Sequence, residues 1–177
     1  MRQKVNAERL HEFMQALGNA VTGSARIFLV GGATAVLCGW RDSTIDIDLK
    51  AIPDSDEILR NLPILKERLH VNVELASPDD FIPELPSWQE RSRFILQAGK
   101  LTFLHYDFYA QALAKIERGH HVDLHDVHEM IQNGFVEPPL LMKFFSQIED
   151  KIYKYPALDP QIFRAAVERV VGETERG

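Results

Sequence analysis

Asp46 and Asp48 stand one residue apart in the run Ile45-Asp46-Ile47-Asp48-Leu49, and that spacing decides what they can do. Alternation of apolar and acidic residues along a strand puts both carboxylates on one face and the isoleucines and leucine on the other. Two carboxylates held side by side repel, and a hard cation that takes oxygen ligands is what holds such a pair together. Upstream, Gly31-Gly32 breaks the β-branched and aromatic run Arg26 to Val30 and precedes the helix formers of Ala33 to Trp40. Glycine permits positive φ and a close approach of the backbone to a bulky group. A turn that opens a helix also offers N–H groups and a positive dipole end to a phosphate. Taken singly, the glycine pair is only a turn and the acid strand only a solvated sheet face. Separated by one short helix and the turn Asp42-Ser43-Thr44, they read together as the anion and cation halves of a nucleotide-triphosphate site.

A hydrophobic residue, Gly31-Gly32, thirteen intervening positions and then Asp46-Ile47-Asp48 resembles the signature of the DNA polymerase β-type nucleotidyltransferase superfamily. Ser43-Thr44 is similar to the small hydroxyl residues common just before those acids. The closer likeness is to the minimal nucleotidyltransferases and the AbiEii-like toxins of type IV toxin–antitoxin pairs, over roughly residues 26–130. The resemblance implies an NTP substrate, two Mg²⁺ ions held by Asp46 and Asp48, and phosphates held by Gly31, Gly32 and the hydroxyl of Ser43 or Thr44. It also implies a tRNA or protein acceptor and an antitoxin partner.

A site of that type needs a third carboxylate on a neighbouring strand, credited as the base for the attacking hydroxyl. Glu74 is the only acid in the strand-like run His70 to Leu75, so it takes the role by position, with Asn72 as the other candidate for the structural match. Tyr109 to Met130 is the second informative stretch. Lys115 and Arg118 lie three apart on one helix face, and Asp123 and Asp126 follow at the same spacing on the next helix. This arrangement resembles the toxin-like branch, where the lysine contacts the triphosphate and a following aspartate orients the basic residues or the substrate. Without the resemblance the same four residues make an ordinary salt bridge between helices, Arg118 to Asp123 or Asp126.

The remaining elements serve to position these residues. Asn6 caps a helix to Ala20 with Leu10, Phe13, Met14 and Leu17 on one face. Asp54 or Ser55 caps another through Leu69, with Ile58, Leu59, Leu62, Leu65 and Leu69 inward. In His70 to Leu75 the apolar Val71, Val73 and Leu75 point one way. Ala76 to Ser92, with three prolines, is a loop pinned by Phe81 and Trp88. Arg93 to Ala98 and Lys100 to Phe108 form a hairpin around Gly99, and Asp107 caps the helix that Gly119 ends. Pro138 and Pro160 each start a further helix. The expected fold is α/β (α+β): a nucleotidyltransferase-like mixed β-sheet flanked by helices, residues 1–134, and a C-terminal helical extension, residues 135–177, packing on it.

At 177 residues, with 45% hydrophobic and 26% charged content, the chain suits a compact globular protein. A net charge of −6 argues against a surface coated throughout by nucleic acid, while leaving room for a local basic groove. Cys38 is the single cysteine and has no disulfide partner within the chain. With no leader-like segment and no long apolar run, the expectation is a cytoplasmic protein without a membrane partner. Two other function classes compete with nucleotidyl transfer. One is a degenerate module of the same fold that binds a nucleotide or protein without turnover. The other is a metal protein using His121, His125 and His128, which share a helix face, in a crowd that includes His120, although a solvated face suits such histidines better.

Overall fold

The computed structural model describes residues 3–176. They fall into two compact units, residues 3–77 with 92–106 and residues 78–91 with 107–176.

The first unit is a five-stranded mixed sheet with helices on one face. Its elements are α1 (Ala7–Ala20), β1 (Ala25–Val30), α2 (Gly32–Cys38), β2 (Asp46–Ile52), α3 (Asp56–Leu69), β3 (Asn72–Leu75), β4 (Arg93–Ala98) and β5 (Leu101–His105). A four-residue helix, α4 (Trp88–Arg91), precedes β4 in the chain and belongs to the second unit. The strand order is β3-β2-β1-β5-β4. β1 and β2 are antiparallel, as are β4 and β5, while β2 with β3 and β1 with β5 run parallel. Ile27, Leu29, Ile47, Leu49, Val73 and Phe103 form the core face, sealed by Phe13, Met14 and Leu17 of α1 and by Ile58, Leu62 and Leu65 of α3. The Asn6 side chain accepts the Arg9 N–H at 2.9 Å, and Ser55, rather than Asp54, accepts the Ile58 N–H at 3.3 Å to start α3. Arg9 ties α1 to the far end of α3 by donating to the Leu69 carbonyl.

The inward set expected for α3 loses one member: Leu59 is exposed, about 100° round the helix from the buried Ile58. Leu75, expected inward, is also exposed, because β3 is an edge strand and its last residue outruns the helical cover. β5 stops at His105 instead of reaching Phe108, since Asp107 caps the next helix by accepting the Tyr109 N–H at 3.2 Å.

The second unit is helical: α4 with α5 (Phe108–Arg118), α6 (His121–Gln132), α7 (Pro138–Ile148) and α8 (Pro160–Arg176). Gly119 takes φ +71 to end α5, as its glycine predicts. The core is aromatic and aliphatic, with Phe108 stacked on Phe135 at 4.3 Å and Phe145 edge-on to Phe163 at 4.9 Å. Trp88 is buried and donates to Glu84 at 2.8 Å, so it anchors its loop as expected; Phe81 is exposed and anchors nothing. That loop is also less irregular than its prolines suggest, containing a 3₁₀ turn at Pro78–Asp80 besides α4.

Candidate active site

The strand register assembles the acidic face. β2 alternates as read: Ile47 and Leu49 are buried while Asp46 and Asp48 are half-buried on the opposite face. Val30 pairs with Asp48, so the strand leading into Gly31 runs beside the second acid. On the other side of β2, Asn72 pairs with Asp46 and Glu74 with Asp48. Lys50 continues the same face of β2 one alternation further on.

The glycine turn closes against this face. Gly31 has φ +64, a conformation that a side chain disfavours, and a Cβ there would lie 3.4 Å from Asp48 Oδ2. A Cβ on Gly32 would meet Thr44 Oγ1 at 2.1 Å and the Arg41 Nη1 at 3.4 Å. Both glycines are therefore required locally, the first for backbone angle and the second for space. Thr44 is held in place by a two-bond bridge to Val5, with N···O distances of 2.7 and 2.9 Å, and its hydroxyl donates to the Asp46 carbonyl at 3.1 Å. α2 has only seven residues, so its dipole is small, and the turn's close-packed backbone matters more than the helix behind it. Gly31, Gly32, Thr44, Asp46 and Asp48 thus come together around one β1–α2–β2 corner, and Ser43 adjoins them in sequence. Arg41 is a cation at this corner that the sequence reading missed. Its only signal was a position five residues before the acids, in a turn that reads as generic.

Asn72 Nδ2 donates to Asp46 Oδ1 at 2.6 Å and to Glu74 Oε1 at 3.0 Å. Glu74 itself is exposed. Among the described residues no group of three or more His, Cys, Asp or Glu side chains converges to hold a metal, so Glu74 does not close a three-ligand cluster with the aspartates. His121, His125 and His128 line an exposed face of α6.

Lys115, Arg118 and Asp123 belong to the second unit. Lys115 is buried, its Nζ 2.8 Å from Asp126 Oδ2 and 3.7 Å from Asp123 Oδ1. Arg118 grips Asp123 with two nitrogens, Nε at 2.8 Å, although 62% of its side chain is exposed. Burial alone would push the Asp123 carboxyl up; hydrogen bonds and charge from Arg118, with help from Lys115 and the His120 N–H, outweigh it and hold the group below the usual carboxylate range.

On the core face of the first unit lies a separate polar cluster. Thr34 donates to the Leu29 carbonyl at 3.3 Å, so His105 Nδ1, 3.1 Å away, is the donor to Thr34 Oγ1. His105 Nε2 then faces Cys38 Sγ at 3.8 Å. Burial, helped by the Arg93 charge, pushes His105 down to about 4, and burial pushes Cys38 up to about 11 against the pull of Arg93. A thiol and imidazole that are both neutral at pH 7 make a structural pair, not an activated nucleophile.

A strand, a Gly-Gly turn, a short helix and an acid strand, set in a mixed sheet backed by helices, define the nucleotidyltransferase class of fold. Residues 7–165 match the family described as "Nucleotidyltransferase of unknown function (DUF6036)", and the chain belongs to that family. The match supports the nucleotidyltransferase superfamily and lends nothing to the toxin-like branch in particular. No curated protein and no solved structure matches the chain. No helix among the described residues is long and apolar enough to cross a membrane.

Proposed function

We propose that this chain transfers a nucleoside monophosphate from an NTP to a hydroxyl of RNA or protein, as a toxin of a toxin–antitoxin pair would. One observation carries the reading: the Gly31-Gly32 turn packs directly against Asp48 and Thr44, which sets the backbone of the turn beside the carboxylate pair. The donors suit Mg²⁺. They are oxygens, half-exposed, and two in number, and Mg²⁺ characteristically takes one or two carboxylates and completes its shell with water and substrate phosphate. Asp46 and Asp48 would hold the two ions, whose chemistry when bound is to polarise phosphoryl oxygens and align the attacking and leaving groups.

The protein's own groups do the rest. The Gly31 and Gly32 backbone N–H groups, the Ser43 hydroxyl, or the Thr44 hydroxyl once turned from the Asp46 carbonyl, and the Arg41 guanidinium bind phosphate oxygens. Glu74 takes the acceptor's proton, for which an exposed carboxylate at the edge of the sheet is accessible. The triphosphate role that the toxin-like resemblance gives Lys115 and Arg118, with Asp123 orienting them, is a separable part of the proposal. Arg118→Ala tests it, with folding checked by circular dichroism because the change leaves the buried Asp123 only Lys115, 3.7 Å away, as a cationic partner; in the folded variant a raised KM for NTP supports the role and an unchanged KM removes it.

The test of the main reading is Mg²⁺-dependent transfer of label from each α-labelled NTP into total RNA and total protein, wild type beside Asp46→Asn. Label that needs Asp46 establishes transfer and names the acceptor class. A second reading, a binding module without turnover, is favoured by the failure of Glu74 to converge with the aspartates. NTP binding with no label in either pool would establish that reading instead.

A further inference from the structure

The amide between the acids has a role of its own. Asn72 lies opposite Asp46 in the parallel β2–β3 register, and Glu74 lies opposite Asp48. Both hydrogens of the Asn72 amino group are committed, one to Asp46 Oδ1 at 2.6 Å and one to Glu74 Oε1 at 3.0 Å. The amide orientation follows from chemistry: turned over, its carbonyl oxygen would face two carboxylate oxygens, three acceptors with no proton among them. Like charges on adjoining strands repel, and here the amino group is interposed between them. A carboxylate has about four lone-pair sites on two oxygens, so the bond to Oδ1 restrains the Asp46 carboxylate without exhausting its capacity to accept.

We propose that Asn72 is a positioning residue of the cation site: it orients the Asp46 carboxylate by donating to it, and through its second hydrogen ties Glu74 to the same frame. The inference rests on the reading of Asp46 and Asp48 as a cation-holding pair. It assigns the position beside Asp46 to a hydrogen-bond donor, where a three-carboxylate site would have another acid. Carboxylates that hold metal are themselves commonly hydrogen-bonded, and loss of such an outer partner costs about 10–100-fold in metal affinity.

The experiment measures Mn²⁺ alone binding to the nucleotide-free full chain, from the electron paramagnetic resonance signal of free Mn²⁺. Wild type is compared with Asn72→Ala, Asn72→Asp, Asn72→Ser and Asp46→Asn, each melted without metal as a check on folding. Asn72→Ala and Asn72→Asp are expected to weaken Mn²⁺ binding by about 10–100-fold. Asn72→Ser, which keeps a hydroxyl donor and is the variant to rely on if Ala unfolds the edge strand, is expected to fall between them and wild type. A purely structural role would lower the melting temperature without that graded rescue, and such a result overturns the proposal. Asn72→Asp binding Mn²⁺ as tightly as wild type, or more tightly, also overturns it, because the position would then be a ligand position. If Asp46→Asn abolishes binding while Asn72→Ala leaves it intact, the inference about Asn72 fails alone. If Asp46→Asn binds like wild type, or wild type binds no Mn²⁺, the cation site itself fails and the inference with it.

Discussion

Each unit of this protein keeps two acids close together, and the two pairs are kept on opposite terms. In the helical unit Asp123 and Asp126 are buried, and Arg118 and Lys115 meet them at hydrogen-bond distance. In the sheet unit Asp46 and Asp48 stay half-exposed on one strand face, and Asp46 meets the neutral amide of Asn72. Burying a carboxylate costs several kcal/mol unless a cation and hydrogen bonds offset it. Hence the helical pair meets its countercharge within the fold, whatever Lys115 and Arg118 bind besides. A half-exposed acid beside a glycine turn keeps access to solvent and can take an external partner. The contrast teaches that acid spacing alone does not mark a site; how deeply the acids are buried does.

The sharpest way to break the comparison is to neutralise one acid in each unit. Asp46→Asn should cut label transfer by more than the roughly 100-fold associated with outer-shell partners. It should shift stability by less than the cost of a broken buried pair, since the position is half-exposed and Asn keeps an acceptor oxygen for Asn72. Asp126→Ala should do the reverse in stability, costing about 3–5 kcal/mol by leaving the Lys115 charge buried without that partner. Urea unfolding monitored by circular dichroism reads both. Lys115→Met combined with Asp126→Leu should recover most of the loss, since a packed apolar pair replaces a buried ionic one at little cost. Equal destabilisation by Asp46→Asn and Asp126→Ala would erase the distinction between the pairs.

A smaller effect sharpens the account of the sheet unit's corner. Gly32→Ala drives a methyl to within 2.1 Å of Thr44 Oγ1 and 2.7 Å of its Cβ, so Thr44 must shift. Overpacking of this kind costs about 1–3 kcal/mol. Gly31→Ala meets no such wall, its nearest neighbour being Asp48 Oδ2 at 3.4 Å, and suffers instead from φ +64, about 1–2 kcal/mol. Thr44→Gly should therefore relieve Gly32→Ala and leave Gly31→Ala unchanged, as melting curves of the two double variants would show. Relief of both would mean that Gly31, too, is there for space.

Much of this corner was legible because its signals are local. Period-2 alternation gave the acid face of β2, Gly31-Gly32 gave the turn, and Asn6, Ser55, Asp107 and Gly119 marked helix ends through their own side chains or φ. What was not legible depends on strand pairing. Nothing in the run His70 to Leu75 says that Asn72 will lie against Asp46; only the β2–β3 register does. Leu75 ends the edge strand β3, whose place in the sheet its own neighbours in sequence do not encode, whereas Leu59 simply lies off the inward stripe of α3. Thr44 at the Gly32 corner is bridged to Val5, a contact across 39 positions of chain, and the approach of Arg41 to Gly32 is likewise not written in its own neighbours. The Cys38–His105 pair likewise joins residues from α2 and β5 that read separately as an apolar helix and a hairpin strand.

That last pair carries the smallest predicted effect and extends the comparison to pH. His105 is held neutral, with its pKa pushed down to about 4 by burial and the Arg93 charge. In the unfolded chain the same imidazole returns to about 6.5. Below pH 6.5 the unfolded chain therefore takes up a proton that the folded chain refuses until the pH nears 4. Stability rises with pH wherever the unfolded state binds more protons. The contribution is complete above about pH 6.5 and drains away as the pH falls toward 4, amounting to about 1–2 kcal/mol between pH 7 and pH 5. Asp123 does not share this window, because a carboxyl held below its ordinary value of about 4 loses its contribution only at lower pH. His105→Asn keeps an N–H donor for Thr34 and removes the titrating ring. Its urea midpoint should consequently change less between pH 7 and pH 5 than that of the wild type, with all other groups cancelling in the difference. Parallel midpoints for the two proteins would show that the ring is solvated in the folded chain and protonates there as readily as in the unfolded one.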